Sequence, residues 1–358
     1  MMHTAMLALL AAALTSPAAP SAYAVPADHR SPPGLRVVTS LTTYASITRE
    51  IVGDRAVVTS IAEGDEDPHF VQPRPSFVPA LRDADLFVTT GMDLELWVPA
   101  LLDRAGNRRV REGGRGYVAA FQGIRLLEVP TSLSRAQGDI HVDGNPHIHT
   151  DPVNAIIIAR NILAGLQRAS PENAQLFADR ERDFELRVLR AMAGDEIVRL
   201  LTPAVVYRLA FNDSLTAFLQ RTTYQGQPLV NRLGGWLRQA EAFRGRHMVC
   251  YHKEWAYFSR RYGVECVEYI EAKPGIPPTP RHVRDVINLM RDQHIPVLFA
   301  SNYFDRNQIR EVAERTGATA VIVPENTHGA PGVETYFDLM NTWITQLAQG
   351  FASTAGAR

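Results

Sequence analysis

The 358-residue sequence predicts an α/β protein: two wound lobes with parallel-type sheets, joined by a long rigid helix. Three observations carry this. Short apolar runs alternate with helical patterns between Leu35 and Asp103, the same alternation returns after residue 246, and a charged helix with one apolar stripe lies between.

Taken in order, Leu35 to Ser40 reads as a buried strand and Tyr44 to Val52 as a helix. Ala56 to Ile61 is a second strand, Ser76 to Arg82 a helix, Leu86 to Thr90 a third strand and Leu94 to Asp103 a helix, giving a first lobe over 35–150. Linking helices occupy 151–193. Ile156, Ile157, Ile158, Ile162, Leu163 and Leu166 fall on helical spacing, and a second helix starts at Ser170-Pro171 and runs through Phe177, Phe184 and Leu189. Residues 194–245 predict short helices and loops, an insertion rather than sheet. The second lobe spans 246–350. Its strands are Met248 to Tyr251, Val264 to Ile270, Val297 to Ala300 and Ala320 to Val323. Its helices are Glu254 to Tyr262, Arg281 to Asp292, Arg306 to Thr316 and Val333 to Leu347, with a tail over 351–358.

Composition narrows the function. A formal net charge of -1 gives no global field toward nucleic acid or an anionic membrane. Met6 to Ala13 is apolar but too short to span a bilayer, and Ala22-Tyr23-Ala24 supplies an A-x-A cleavage pattern. A cleaved signal over 1–24, a mobile leader over 25–34 and a periplasmic product are expected. Met1 to Ala5 lacks Lys and Arg, which departs from the usual start of such signals, and no Cys follows the apolar run to carry a lipid. Cys250 and Cys266 sit in separate apolar runs; a disulfide and two packed thiols both fit.

The chemistry points to histidine. His69 follows the second strand in Glu63-Gly64-Asp65-Glu66-Asp67-Pro68-His69. His147 lies in Gly144-Asn145-Pro146-His147-Ile148-His149 before the linking helices, and His252 follows the strand ending in Tyr251. Ligands of open α/β sheets collect beyond the carboxyl ends of strands, and neutral imidazole is a strong zinc donor. Against this stands the commoner role of a loop histidine, solvated or capping a helix. Asp139, His141, Asp143, His147 and His149 form an acidic, histidine-bearing stretch, either a solvated loop or an ion-collecting one, in which His149 is a candidate to orient His147. His3 belongs to the signal; His29, His247, His282 and His294 read as structural or solvated, and Trp97, Trp236, Trp255 and Trp343 as core.

The chain resembles the zinc- and manganese-binding solute receptors of bacterial ABC importers, the ZnuA/TroA-like group, from about Leu35 to the last helix. The matching pieces are Asp67-Pro68-His69 with Pro75-Ser76, Gly144-Asn145-Pro146-His147 with Asp151-Pro152, and Tyr251-His252 with Trp255, Tyr257-Phe258 and Tyr262-Gly263. Ile270 to Pro278 and Asn302-Tyr303-Phe304-Asp305 match a subgroup. The resemblance implies that His69, His147 and His252 are metal ligands, that a rigid helix links the lobes, and that a membrane permease receives the ion. The fourth ligand departs from the group's pattern. Where many members carry an Asp, this chain has Pro324-Glu325-Asn326-Thr327-His328. Glu325 is favoured because a carboxylate helps neutralise a dication; His328, water and the acids beside His69 stay open.

A nitrogen-rich set favours Zn2+ as cargo, with Mn2+ or Fe2+ the alternative if more oxygens coordinate. A monomer is expected, without nucleic acid or stable membrane insertion. A zinc hydrolase and a surface adhesin on the same fold are the competing classes. The sequence shows no H-E-x-x-H, no G-x-S-x-G and no phosphate loop, so no enzyme is expected.

Overall fold

The computed structural model describes residues 34–72, 74–130, 141–271 and 275–355. The expected signal and most of the leader, Asp139 and the tail's last residues lie outside the described residues. The first lobe comprises β1 (Leu35–Thr39), α1 (Thr42–Val52), β2 (Ala56–Ser60), α2 (Phe77–Arg82), β3 (Leu86–Thr89), α3 (Val98–Ala105) and β4 (Tyr117–Ala119). Its four strands run parallel in the order β2-β1-β3-β4. Every carboxyl end therefore faces one edge, where the loops carrying the candidate residues emerge.

Two local differences from the sequence reading have physical causes. The helix expected over Leu94 to Asp103 is split into a 3-10 turn, Asp93–Glu95, and α3. The Glu95 carboxylate is buried and accepts hydrogen bonds from Ser40 Oγ (2.5 Å) and from Thr90 N (3.1 Å) and Oγ1 (2.9 Å), so strand ends rather than a helix claim this turn. Strand β4, which the reading missed, has three residues, too few to show a period of two.

Two antiparallel-type neighbours form the link, α4 (Pro152–Ala169) and α5 (Ala174–Ala193). Asp151 caps α4, accepting from Val153 N at 2.8 Å with Pro152 in the first turn. At 20 residues α5 is about 30 Å long. Its stripe of Phe177, Phe184, Val188, Leu189 and Met192 is fully buried.

Glu181 lies on that same helix with its Oε1 buried and unpartnered, the nearest Arg160 nitrogen being 3.9 Å away. Burial, then the charge of Glu185, push its carboxyl up to about 7 despite Arg160. Ionisation thus costs the folded state more than the unfolded one, and stability falls as pH rises from about 4.5 to 7. Glu181→Gln is expected to stabilise the protein by roughly 2 kcal/mol at pH 8 and by almost nothing at pH 4.5. Thermal melts at the two values check this; an equal gain at both would refute it.

Residues 194–245, expected to be helices and loops without sheet, form α6 (Asp195–Leu201), α7 (Pro203–Phe211), α8 (Leu215–Arg221) and α9 (Gly235–Gln239), but also a short hairpin of β5 (Thr223–Tyr224) and β6 (Gln227–Pro228), whose two-residue strands are too brief to show a period. The second lobe follows with β7 (His247–Cys250), α10 (Ala256–Tyr262), β8 (Glu265–Tyr269), α11 (Pro280–Asp292), β9 (Val297–Ser301), α12 (Arg306–Thr316), β10 (Thr319–Val323) and α13 (Tyr336–Ala355). Its strands are parallel in the order β10-β9-β7-β8. Cys250 and Cys266 form a disulfide between the neighbouring strands β7 and β8, with Cα atoms 5.6 Å apart.

Strand β9 is buried on both faces, as a central parallel strand must be. Val297 and Phe299 join the large core that continues through α5 and α13 into the first lobe. Leu298 and Ala300 face a separate core under α11 and α12. No described helix is long and apolar enough to cross a membrane.

Candidate metal centre

Four imidazoles gather where the carboxyl ends of the two sheets face each other. His69 comes from the loop after β2. Its loop is tied by Arg74 to Glu63 (2.9 Å) and Glu66 (2.8 Å), and by Trp97 Nε1 donating to Pro68 O at 2.9 Å. The same loop runs against the loop after β10 so closely that a Cβ on Gly64 would sit 2.2 Å from Thr327 O. His147 opens the turn before α4, its N–H donating to Asn145 Oδ1 at 3.0 Å. Asn145 is held in turn by Tyr257 OH, which donates to its carbonyl at 2.8 Å. His252 follows β7. His141 precedes the His147 turn and stacks on His69, with ring centroids 5.4 Å apart. The His69 ring lies 5.2 Å from His147 and 5.6 Å from His252.

Each ring gives its Nδ1 to an oxygen. His69 pairs with Asp67 Oδ1 at 2.8 Å, His141 with Asp93 Oδ1 at 2.8 Å, His147 with Glu325 Oε1 at 2.6 Å, and His252 with the Glu271 carbonyl at 2.8 Å. Such partners fix the tautomer with the proton on Nδ1 and leave Nε2 as the donor atom. The Nε2 atoms of His69 and His141 stand 3.3 Å apart, and His147 Nε2 is buried without a hydrogen-bond partner. Ligand atoms of His69, His141 and His147 all lie within 4.8 Å of one another.

The electrostatics favour neutral His147 and His252 and ionised carboxylates at Asp67 and Asp93. Burial, reinforced by the neighbouring imidazoles, holds His147 well below the usual histidine range, and burial with His69 lowers His252 to about 3. Burial raises Asp67, but the hydrogen bonds and charge of His69 outweigh it and hold the carboxyl below its ordinary value. In the unfolded chain His252 titrates near 6.5, so the unfolded state takes up a proton that the folded state refuses as pH falls below that value. His252→Asn is therefore expected to gain stability over the parent on acidification, by roughly 2 kcal/mol at pH 5. Melting curves of both proteins without metal, at pH 7 and 5, test this; a constant difference would contradict it.

The remaining candidates take other places. Glu325 is fully buried, with Oε1 on His147 Nδ1 and Oε2 accepting from Tyr303 OH at 2.8 Å. Burial raises its carboxyl, opposed by His149 and Tyr303. His149 is buried too, but its Nε2 meets the Glu325 carbonyl at 3.2 Å rather than His147. His328 is exposed, in the left-handed backbone region at φ 61, outside the cluster. Asp93, on His141, is a neighbour that the sequence reading did not name, and Tyr303, on Glu325, one that it named only within a matching stretch. At the mouth, Phe70 lies over Gly275 of the second lobe, where a Cβ would come within 2.4 Å of the phenyl Cζ.

A family model described as zinc-uptake complex component A, periplasmic, matches residues 37–193 and 223–350, passing over most of the helical insertion. The chain is 25% identical over 319 residues to the iron-binding protein YfeA of Yersinia pestis, covering 88% of this chain and 86% of that one. It is 24% identical over 323 residues to the manganese ABC transporter substrate-binding lipoprotein PsaA of Streptococcus pneumoniae, covering 88% of each. Among solved structures, a ZnuA crystal structure superposes with a TM-score of 0.63 at 18% identity, over 89% of this chain and 99% of that one. A manganese-bound mutant of a periplasmic metal-binding protein from Candidatus Liberibacter asiaticus gives 0.62 at 19% identity, over 87% and 98%. These likenesses agree on two α/β lobes with parallel sheets.

Proposed function

The chain belongs to the periplasmic zinc-uptake component A family, and from that premise we propose that it captures Zn2+ between its lobes and delivers it to an ABC permease. Membership makes it a metal-binding receptor rather than an enzyme. The finer reading rests on one observation, the 3.3 Å separation of two Nε2 atoms whose rings have both committed Nδ1 to carboxylates. Two acceptors that close repel unless a proton or a metal ion lies between them, and a metal ion is the occupant this family carries. A tetrahedron with Zn–N bonds of about 2.0–2.1 Å has an edge of about 3.3–3.4 Å. We assign His69, His141, His147 and His252 as the ligands, with Glu325 holding His147 from behind.

Manganese and iron appear in the names of relatives; manganese prefers oxygen ligands, and non-haem iron commonly adds a carboxylate to its imidazoles. Here the nearby carboxylates of Asp67, Asp93 and Glu325 are each spent on an imidazole. A crystal structure of the zinc-loaded protein, with the ion identified by anomalous scattering, tests the assignment. Four nitrogens within bonding distance are expected. An ion held by Glu325, or in a six-coordinate shell of oxygens and waters, would overturn it. A monomer exported by a cleaved signal completes the proposal; sedimentation and the amino-terminal sequence of the exported protein check those two points.

A further inference from the structure

His141 belongs to no helix or strand, so nothing in the regular architecture explains why its ring stands at the site. What fixes it is Asp93. One carboxylate oxygen accepts the ring Nδ1 at 2.8 Å, and the other accepts the backbone N–H of Val142 at 3.1 Å. The ring and the chain beside it are gripped together, which sets both the tautomer and the position of Nε2. The grip is itself anchored. Asp93 begins the 3-10 turn whose other end, Glu95, is buried and bonded to Ser40, Thr89 and Thr90 at the ends of β1 and β3. Strand ends thus hold the turn, the turn holds Asp93, and Asp93 holds His141.

We propose that Asp93 is the positioning residue that makes His141 a ligand and thereby sets the coordination number of the site. This rests on the four-nitrogen reading given above. Asp93 contacts no ion; it acts through the ring. It pairs with the Asp67–His69 dyad as a second carboxylate–histidine dyad facing the first. With His141 so placed, three nitrogens come from the first lobe, and the second lobe adds His252.

The test is a double-mutant cycle in the full-length protein, read by competition of zinc against a chelator and by the visible spectrum of the Co2+-loaded form. Asp93→Ala is expected to weaken zinc binding about 10–100-fold, the usual effect of losing an outer partner of a ligand, and to alter the Co2+ bands. In a His141→Ala background the same change is expected to cost almost nothing, because the two residues act as one unit. Unchanged melting of the metal-free Asp93→Ala protein would separate positioning from folding. An equal penalty in both backgrounds, or none in the parent while His141→Ala is weakened, overturns the role of Asp93 alone. Unaltered affinity and spectrum in His141→Ala overturn the four-nitrogen reading and this inference with it.

Discussion

Replacing His147 with alanine is expected to cost more zinc affinity than any outer-shell change, beyond the roughly 10–100-fold typical of losing a ligand's hydrogen-bond partner. The reason is burial. His147 is 0% exposed, its Nε2 has no hydrogen-bond partner in the protein, and burial with the neighbouring imidazoles holds its ring well below the usual histidine range. Glu325→Gln offers the graded comparison: it keeps an acceptor for Nδ1 and is expected to fall within the outer-shell range. Calorimetric titration of both variants decides the matter. Equal losses would move Glu325 into direct contact with the ion, and an unaffected His147→Ala would remove His147 from the ligand set.

The largest effect on stability is expected at Arg261. Its guanidinium is nearly buried and grips both oxygens of Asp151, at 2.9 and 2.8 Å, and it also donates to Ala210 O at 2.8 Å. Asp151 meanwhile caps α4, so one carboxylate ties the link to α10 of the second lobe. Arg261→Ala leaves that carboxylate buried and unpaired, a loss of about 3–5 kcal/mol in comparable pairs. Because the pair stands between the His147 turn and the helix after His252, zinc affinity is expected to fall as well. Denaturant unfolding measures the first effect, and a loss below about 1 kcal/mol would show that solvent reaches Asp151 when the arginine leaves.

The wound lobes, the linking helices and nearly every strand were legible because parallel strands buried on both faces read as dense apolar runs, Val297 to Ser301 being the clearest. The gathering of His69, His147 and His252 was legible because each lies in a patterned loop after a strand or before a helix. The role of His141 was less so. Its partner Asp93 lies 48 residues earlier, and sequence does not say which ring nitrogen a carboxylate will claim. Glu325 illustrates the same limit, since sequence does not say whether an acid near the cluster faces an ion or hydrogen-bonds an imidazole, as Glu325 does to His147. The disulfide stayed open for a related reason. Cys250 and Cys266 face each other because β7 and β8 are neighbours in the sheet, with a register shift at Met248 and Val249, and neither the pairing nor the shift is written in the apolar runs themselves.

The continuous core has a mechanical consequence. A wide clamshell swing of the lobes would pull Phe184 of α5 away from Tyr336 and Phe337 of α13 and wet that seam, at about 25 cal/mol for each Å² exposed. It would also break the bonds from Thr43 to Asn326 and from Tyr336 N to Ser46. Traffic of the ion is therefore left to side chains and short loops at the rim, where Phe70 meets Gly275.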